Sequence, residues 1–496
     1  MRKTKDLLKS ALSAILAVAM ALVLVPASAL AADAPTTYKL TLTGTATGHT
    51  YEAYQIFTGD LSTNADGTKV LSNVKWGTAY NGTESATEVA EKLAAGTMTL
   101  ADLEGKLTLT TPVKTVTSSK DPTVIDGLAA GYYLVKDQDG TQANKSDAYT
   151  KFIVQVVGDT EVAIKSDVPT VEKKVKDTND STGETSGWQD SADYDINDEV
   201  PYQITGTMPD NIADYTTYKY VFTDEMSKGL TYTEKNAKIT IGTTDVTSSF
   251  KENVTHNDDG STVVTWTCDN LKGIDGVTLN KDTKVVVTYS ATLNENAVIG
   301  AAGNPNTVNL TYSNNPNKGG EGETGKTPDD KNIVFTYKTV VNKVDQDKQS
   351  LKGAAFKLEK KQSDGNYKEV KTFTAGEDTT FTFTGLDDGD YKLTETTTPS
   401  GYNTIAPIEF TISATHDEAS DNPTLLTLTG DVTSGEATFT AAKETGSLTT
   451  DVVNKKGSIL PSTGGMGTTV LYVGGAALAA AAAFGIYQLR KKDNED

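Results

Sequence analysis

Cysteine is almost missing from this sequence of 496 residues, which contains a single one, Cys268. An intramolecular disulfide is therefore excluded. Cys268 ends the alternating stretch TVVTWTC, and this context predicts a small buried side chain on a strand rather than a reactive nucleophile. Any domains that the chain forms must be stabilised by something other than disulfide bonds.

Histidine is also scarce, with His49, His256 and His416 as its three occurrences. Each stands alone in a polar stretch, so the spacing excludes a Cys/His zinc site. The sequence has no G-x-S-x-G elbow and no P-loop, and the segment DQDGTQAN lacks the closing Glu of an EF-hand. We therefore expect a protein that is not an enzyme and that needs no metal or other cofactor.

Basic residues are too few for a nucleic-acid partner. The chain has 45 Lys and Arg against 66 Asp and Glu, which gives a net charge of −21. A protein that neutralises phosphates needs the opposite balance. The negative charge is more typical of a soluble extracellular protein that repels its neighbours.

Long apolar runs occur near the two ends of the sequence. Residues 1–31 have a basic start, an apolar run and small residues at Ala29 and Ala31, which predicts a signal peptide cut after Ala31 rather than the alternative, a membrane anchor. A second apolar run covers residues 468–489 approximately, and a transmembrane helix needs roughly 20 such residues. The RKK that follows would hold the end of the chain in the cytoplasm.

Between these ends the sequence alternates with a period of two, and turn residues separate the segments. Thr, Val and Tyr are frequent in stretches such as YKLTLTG and KVVVTYSATL, a pattern typical of β-sandwiches. One helix is expected in SATEVAEKLAAG, where Ser85 and Glu88 form a capping box and Gly96 stops the helix. The prediction is a mainly β protein of three tandem immunoglobulin-like sandwiches, with one short helix in the first.

Composition sets the expected boundaries of the domains. The predicted domains cover residues 34–165, 169–318 and 333–456, and a segment rich in Gly, Pro and charge, 319–332, is expected to be a linker. Residues 460–496 form a separate C-terminal segment.

The second and third domains each place a lysine, a carboxyl and a carboxamide in step with the apolar residues of their strands. In chain order these are Lys173, Asp224 and Asn306, then Lys343, Glu395 and Asn454. A register error or a buried ion pair would explain one such residue. Neither explains two complete sets in the same order, each with an asparagine.

These three groups can form an amide bond. Burial lowers the pKa of a lysine toward neutrality and keeps a carboxylic acid protonated. The amine can then attack the carboxamide carbon while the acid transfers protons and ammonia leaves. Such a bond would take the place of the missing disulfides.

The sequence resembles a known family at several of these positions. VVNKVDQDKQSLKGAAFKLEK, YKLTETTTPSGY and VVNKKGSILPSTGG resemble the Cna-B-type domain of Gram-positive surface proteins, including its E-box. VFTDEMSKGLTY and NTVNLTYSN resemble the middle isopeptide-forming domain of sortase-assembled backbone pilins, and GHTYEAYQIFTGD and GLAAGYYLVKD resemble their N-terminal domain. The resemblance covers essentially the whole chain and implies Cna-type sandwiches.

The resemblance also implies which residues form the amide bonds. It pairs Lys173 with Asn306, promoted by Asp224, and Lys343 with Asn454, promoted by Glu395. The last strands of the first domain, KFIVQVVGDTEVAI, contain no asparagine, so no bond is assigned there.

The C-terminal segment resembles the three-part cell-wall sorting signal of the same family. A membrane sortase would cut between Thr463 and Gly464, so the protein is a substrate. The lysine that attacks in the next subunit would be Lys165, although the family's Tyr-Pro and Asn are missing around it, and Lys174 is the alternative. The sorting motif is Leu460, Pro461, Ser462, Thr463 and Gly464.

The resemblance therefore implies a structural subunit of a covalent surface pilus, joined head to tail through Thr463 and Lys165. The alternative is a monomeric adhesin that sortase anchors to the cell wall. Expected partners are the sortase, identical subunits, minor or tip pilins, peptidoglycan and host surface ligands, with no nucleic acid. The expected location is the cell wall and surface of a Gram-positive bacterium.

Overall fold

The computed structural model describes residues 36–457 except 65–66, 96, 99, 142–145 and 165–167. Strands dominate this part of the chain and form three successive pairs of sheets, which confirms the expected mainly β architecture. The predicted signal peptide and residues 460–496, with their apolar run, lie outside the described residues. Among the helices that are described, none has the length and apolar character needed to cross a membrane.

The first domain has sheets in the orders β5-β1-β8 and β3-β2-β6-β7, with β4 paired to β2. Its strands are β1 Thr37–Thr43, β2 Thr50–Thr63, β3 Lys69–Trp76, β4 Lys114–Thr117, β5 Thr123–Ala129, β6 Gly131–Asp137, β7 Lys151–Val156 and β8 Thr160–Ala163. One core lies between the two sheets, around Leu40 and Tyr51. A second core lies on the other face of the larger sheet, around Phe57 and Val89.

Two helices cover that second core. Helix α1, Ala86–Ala94, begins as the sequence predicts, because the Ser85 side chain accepts a hydrogen bond from the backbone N–H of Glu88. Helix α2, Leu100–Glu104, was not expected, so the prediction of one helix in this domain was wrong. At five residues, α2 is too short to show an apolar period in the sequence.

The second domain has sheets in the orders β10-β21-β19-β12-β17-β16 and β15-β14-β18-β11-β9, with β20 on β19 and β13 on β18. Its strands are β9 Val171–Val175, β10 Ser191–Asp193, β11 Glu199–Thr207, β12 Tyr220–Met226, β13 Leu230–Tyr232, β14 Lys238–Ile241, β15 Thr244–Asp245, β16 Lys251–His256, β17 Thr262–Cys268, β18 Lys284–Leu293, β19 Asn304–Ser313, β20 Thr324–Lys326 and β21 Asp330–Phe335. Cys268 is a free, buried side chain on β17, as predicted.

The third domain has sheets in the orders β25-β22-β30-β29 and β24-β23-β26-β27-β28. Its strands are β22 Tyr337–Asp345, β23 Ala355–Lys361, β24 Tyr367–Phe373, β25 Thr380–Leu386, β26 Gly389–Thr397, β27 Ile408–His416, β28 Leu425–Ser434, β29 Thr440–Ala442 and β30 Ser447–Asn454. First strand β22 and last strand β30 are parallel neighbours, with Lys343 opposite Val452.

The prediction of a linker over residues 319–332 was wrong. The chain turns back after β19, and β20 and β21 both pair antiparallel with β19. Gly320 permits the turn because its φ is 97° and a Cβ there would lie 2.1 Å from the carbonyl oxygen of Thr217. Gly and Asn here serve a tight return rather than a flexible spacer.

Strand β21 is shared by the second and third domains. Val334 packs into the core of the second domain, whereas Ile333 and Phe335, on the opposite face, pack into the core of the third. Because alternate side chains of one strand enter two cores, the second domain extends beyond its predicted end at residue 318. The third begins with β22, which a single residue, Thr336, separates from β21.

Candidate functional site

The structure brings Lys173, Asp224 and Asn306 together between the two sheets of the second domain. Lys173 comes from β9 in one sheet, and Asp224 and Asn306 come from the paired strands β12 and β19 in the other. All three residues are 0% exposed. Asn306 lies on β19, and β20 and β21 follow that strand in the second domain.

A tyrosine that the sequence analysis missed connects the three side chains. The Tyr289 hydroxyl on β18 accepts hydrogen bonds from Lys173 Nζ at 2.7 Å and from Asn306 Nδ2 at 2.9 Å. It donates to Asp224 Oδ2 at 2.5 Å, while Lys173 Nζ also donates to Asp224 Oδ1. We call Lys173, Asp224, Tyr289 and Asn306 the second-domain cluster.

Burial favours the uncharged forms of the lysine and the acid in this cluster. Desolvation lowers the pKa of Lys173 despite the opposing charge of Asp224. Desolvation likewise raises the pKa of Asp224, although Lys173 opposes the shift. The rings of Tyr202 and Tyr289 stack with their centroids 5.2 Å apart. The two centroids lie 5.3 and 5.2 Å from Lys173 Nζ, so the rings shield the amine from water.

The third domain also brings Lys343, Glu395 and Asn454 together, and we call them the third-domain cluster. Lys343 and Asn454 come from the parallel strands β22 and β30 of one sheet, and Glu395 comes from β26 of the other. Lys343 Nζ lies 3.8 Å from Glu395 Oε1. Asn454 Nδ2 donates to Glu395 Oε2 at 3.0 Å.

The surroundings of Lys343 in the third-domain cluster stabilise its positive charge only weakly. Lys343 Nζ donates to the carbonyl oxygen of Val452 at 2.9 Å, and its side chain is fully buried. Desolvation lowers its pKa to about 8, against the pull of Glu395. A large fraction of the amine is therefore neutral near pH 8.

Both clusters leave buried oxygens without a hydrogen-bond partner. The carboxamide oxygens Asn306 Oδ1 and Asn454 Oδ1 have none, and Glu395 Oε1 has none. An unsatisfied buried polar atom costs about 1–3 kcal/mol.

Lys360 shows what an ordinary buried lysine looks like in the same protein. Its amine, also in the third domain and 2% exposed, bonds to the carboxylates of Asp387, Asp195 and Asp180. Burial alone would lower the pKa of Lys360, but Asp387 and Asp195 outweigh it and raise the pKa. Lys360 therefore stays a cation and lacks the properties of a nucleophile.

The predicted residues for joining subunits are described only in part. Lys165 lies outside the described residues, as do Leu460, Pro461, Ser462, Thr463 and Gly464. Lys174, the alternative to Lys165, lies on β9 and forms ion pairs with Asp190 at 2.6 Å and Glu172 at 3.2 Å. Although partial burial opposes it, these two carboxylates raise the pKa of Lys174.

Two regions of the chain match family models. Residues 196–316 match the Gram-positive pilin backbone subunit 2, Cna-B-like domain. The chain therefore contains a Gram-positive pilin backbone domain. Residues 338–423 match a second model, the SpaA prealbumin-like fold domain. The pilin resemblance of the sequence is thus confirmed, with the Cna-B-like description falling on the second domain and the prealbumin-like one on the third.

Known pilins are similar to larger parts of the chain. The trypsin-resistant surface T6 protein of Streptococcus pyogenes is 27% identical over 268 residues, which are 50% of this chain and 46% of that protein. The alignment thus spans about half the length of this curated relative. The solved T6 backbone pilin of serotype M6, a modular three-domain structure, covers 87% of this chain with a TM-score of 0.53 and 19% identity, and is itself covered completely. This likeness shows that the chain and the T6 backbone pilin share a fold.

Proposed function

We propose that this protein is the structural subunit of a covalent pilus on the surface of a Gram-positive bacterium. A membrane sortase would join Thr463 of one subunit to Lys165 of the next and would finally attach the fibre to peptidoglycan, with minor or tip pilins at its other end. The observation that carries this proposal is the pair of buried lysine–acid–asparagine clusters, one of them inside a pilin backbone domain.

Each cluster would form one amide bond without any enzyme. The lysine Nζ attacks the Cγ of the asparagine, a new C–N bond forms, and the C–N bond of the carboxamide breaks. The protonated acid first gives its proton to the carboxamide oxygen. It then takes a proton from the attacking nitrogen and passes it to the leaving nitrogen, which departs as ammonia, and it recovers its own proton from the oxygen. The reaction needs no oxidant or cofactor.

The hydrogen bonds of Lys173 support this step. A neutral amine has two N–H groups and one lone pair, and Lys173 donates twice, to Asp224 and to Tyr289. These two contacts hold the amine next to the acid with which it exchanges a proton. Lys343 also donates twice, to the carbonyl oxygens of Val452 and, at 3.4 Å, of Val344.

The same bonds would protect a fibre under tension. Force would enter a subunit near Lys165 and leave at Thr463. The bond between Lys173 and Asn306 bypasses residues 174–305, and the bond between Lys343 and Asn454 bypasses residues 344–453. Most of the second and third domains would carry no load along their backbone.

The choice of Lys165 over Lys174 rests on the contacts of Lys174. Lys165 belongs to the segment between β8 and β9, which joins two domains. Lys174 is held by two carboxylates that keep it protonated, so it is a poor nucleophile.

The filament is tested by gel electrophoresis of surface extracts in SDS. Wild type should give a ladder of SDS-resistant species of high mass, Lys165→Ala should abolish it, and the matched control Lys174→Ala should retain it. Loss of the ladder in Lys174→Ala alone would make Lys174 the attacking residue. A wild type that shows only monomer attached to cell wall would instead support the monomeric adhesin.

A further inference from the structure

The second and third domains meet at a group of four carboxylates near Lys360, which we call the acidic junction: Asp180, Asp195, Asp198 and Asp387. These four outnumber the single positive charge of Lys360. Away from Lys360, potential ligand atoms of Asp177, Asp193 and His416 all lie within 4.8 Å of one another. Asp177 and Asp193 belong to the second domain, and His416 ends strand β27 of the third. His416 Nε2 lies 3.5 Å from a carboxylate oxygen of Asp177.

Asp193 is the most deeply buried residue of this group. The residue is 2% exposed, and its Oδ2 has no hydrogen-bond partner. The Tyr337 hydroxyl lies beside it, and the carboxylates of Asp177 and Asp388 are its acidic neighbours. Carboxylates packed together away from water favour a cation as their partner.

The hydrogen bonds around His416 leave one ring nitrogen available as a ligand. The Ser191 hydroxyl lies 2.5 Å from the carbonyl oxygen of Asp417, which can only accept, so Ser191 donates its proton there. His416 Nδ1, 2.7 Å from the Ser191 oxygen, must then be the donor in that contact. With Nδ1 protonated, the neutral ring has a lone pair on Nε2, the nitrogen that faces Asp177.

We propose that Asp177, Asp193 and His416 bind a divalent transition-metal ion of the Zn²⁺ type. Two carboxylate oxygens and an imidazole nitrogen suit Zn²⁺ better than Ca²⁺ or Mg²⁺, which prefer oxygen ligands alone. Ser191 is the positioning residue that fixes the ring, as hydrogen-bond acceptors do behind metal-bound histidines. Because the ligands come from both domains, the ion ties the two domains together beside the acidic junction.

The small number of histidines makes the site directly observable. The chain has three, so protein labelled with ¹⁵N at histidine gives three imidazole groups in NMR spectra. Titration of the purified, EDTA-treated chain with Zn²⁺ should shift the His416 signals at one equivalent and leave those of His49 and His256 unchanged. Signals are assigned with the variants His416→Gln and His256→Gln.

Calorimetric titration with Zn²⁺ supplies the affinity. His416→Gln and Asp193→Asn should each weaken binding at least tenfold, and Ser191→Ala should weaken it by about 10-fold to 100-fold. The control His256→Gln, on edge strand β16 of the second domain, should bind as wild type does.

Several results would overturn the proposal. These are no shift of His416 in wild type, a shift confined to His49 or His256, or unchanged affinity in both ligand variants. Saturation by Ca²⁺ without any imidazole shift would overturn the choice of ion. If a variant fails to fold, X-ray absorption of the Zn²⁺-loaded wild type decides, since a bound imidazole gives a scattering pattern that carboxylates lack.

Discussion

Removal of the acid from the third-domain cluster should expose a large part of that domain to mechanical unfolding. In Glu395→Gln the side chain keeps its size but can no longer transfer protons, so Lys343 and Asn454 should remain separate. Residues 344–453 would then lie in the path of the force. About 110 residues at about 3.5 Å each add roughly 38 nm of contour length when they unfold.

Single-molecule stretching between positions 165 and 457 measures this length. Wild type should show only short extensions from segments outside the bonds, chiefly residues 307–342. Glu395→Gln should add a step of roughly 38 nm, and Asp224→Asn a longer one of roughly 46 nm from residues 174–305. Lys360→Met serves as the control, because it removes a buried lysine that forms no amide bond. A wild type that already shows the long steps, or a Glu395→Gln chain whose mass still reflects the loss of two ammonia molecules instead of one, would refute the reasoning.

Two further predictions concern the same clusters, and a third concerns Lys360. Tyr289→Phe removes the hydroxyl that links Lys173 to the asparagine, so intact-mass spectra should show a fraction of chains heavier by one ammonia, and complete reaction would exclude a role for the hydroxyl. In Asn454→Ala the free Lys343 has a pKa of about 8 when folded and 10.5 when unfolded. The unfolded chain therefore binds more protons between these values, and the free energy of unfolding measured in urea should rise by about 3 kcal/mol from pH 8 to 10.5; a further Lys343→Met change should abolish the trend. In Lys360→Met the intact mass should still show two amide bonds. The free energy of unfolding in the same assay should fall by about 3–5 kcal/mol, because buried carboxylates lose their partner. An unchanged stability would contradict the ion-pair assignment.

Alternation along single strands predicted the buried members of both clusters. Each of Lys173, Asp224 and Asn306 is in step with apolar neighbours, and the pleat of a strand turns such residues to one face whatever the rest of the fold does. The same argument placed Lys343, Glu395 and Asn454. The capping box likewise predicted the start of α1, because a cap depends on residues close in sequence.

Features that depend on contacts between distant strands were missed. Tyr289 is in step with Val285 and Val287, so the sequence offers no reason to separate it from ordinary core tyrosines. Residues 319–332 have the composition of a linker, and only their pairing with β19 shows that they belong to a sheet. His416 seemed isolated because Ser191, its hydrogen-bond partner, is 225 positions away.

Sequencing of the cross-linked peptide from isolated surface fibres tests the proposed function most directly. Digestion should release a branched peptide in which the carboxyl of Thr463 is joined to the side-chain amine of Lys165. A fibre whose subunits are joined through a different lysine would contradict the assignment of Lys165. Thr463 found only on cell-wall peptide, with no link between copies of the chain, would contradict the pilus itself.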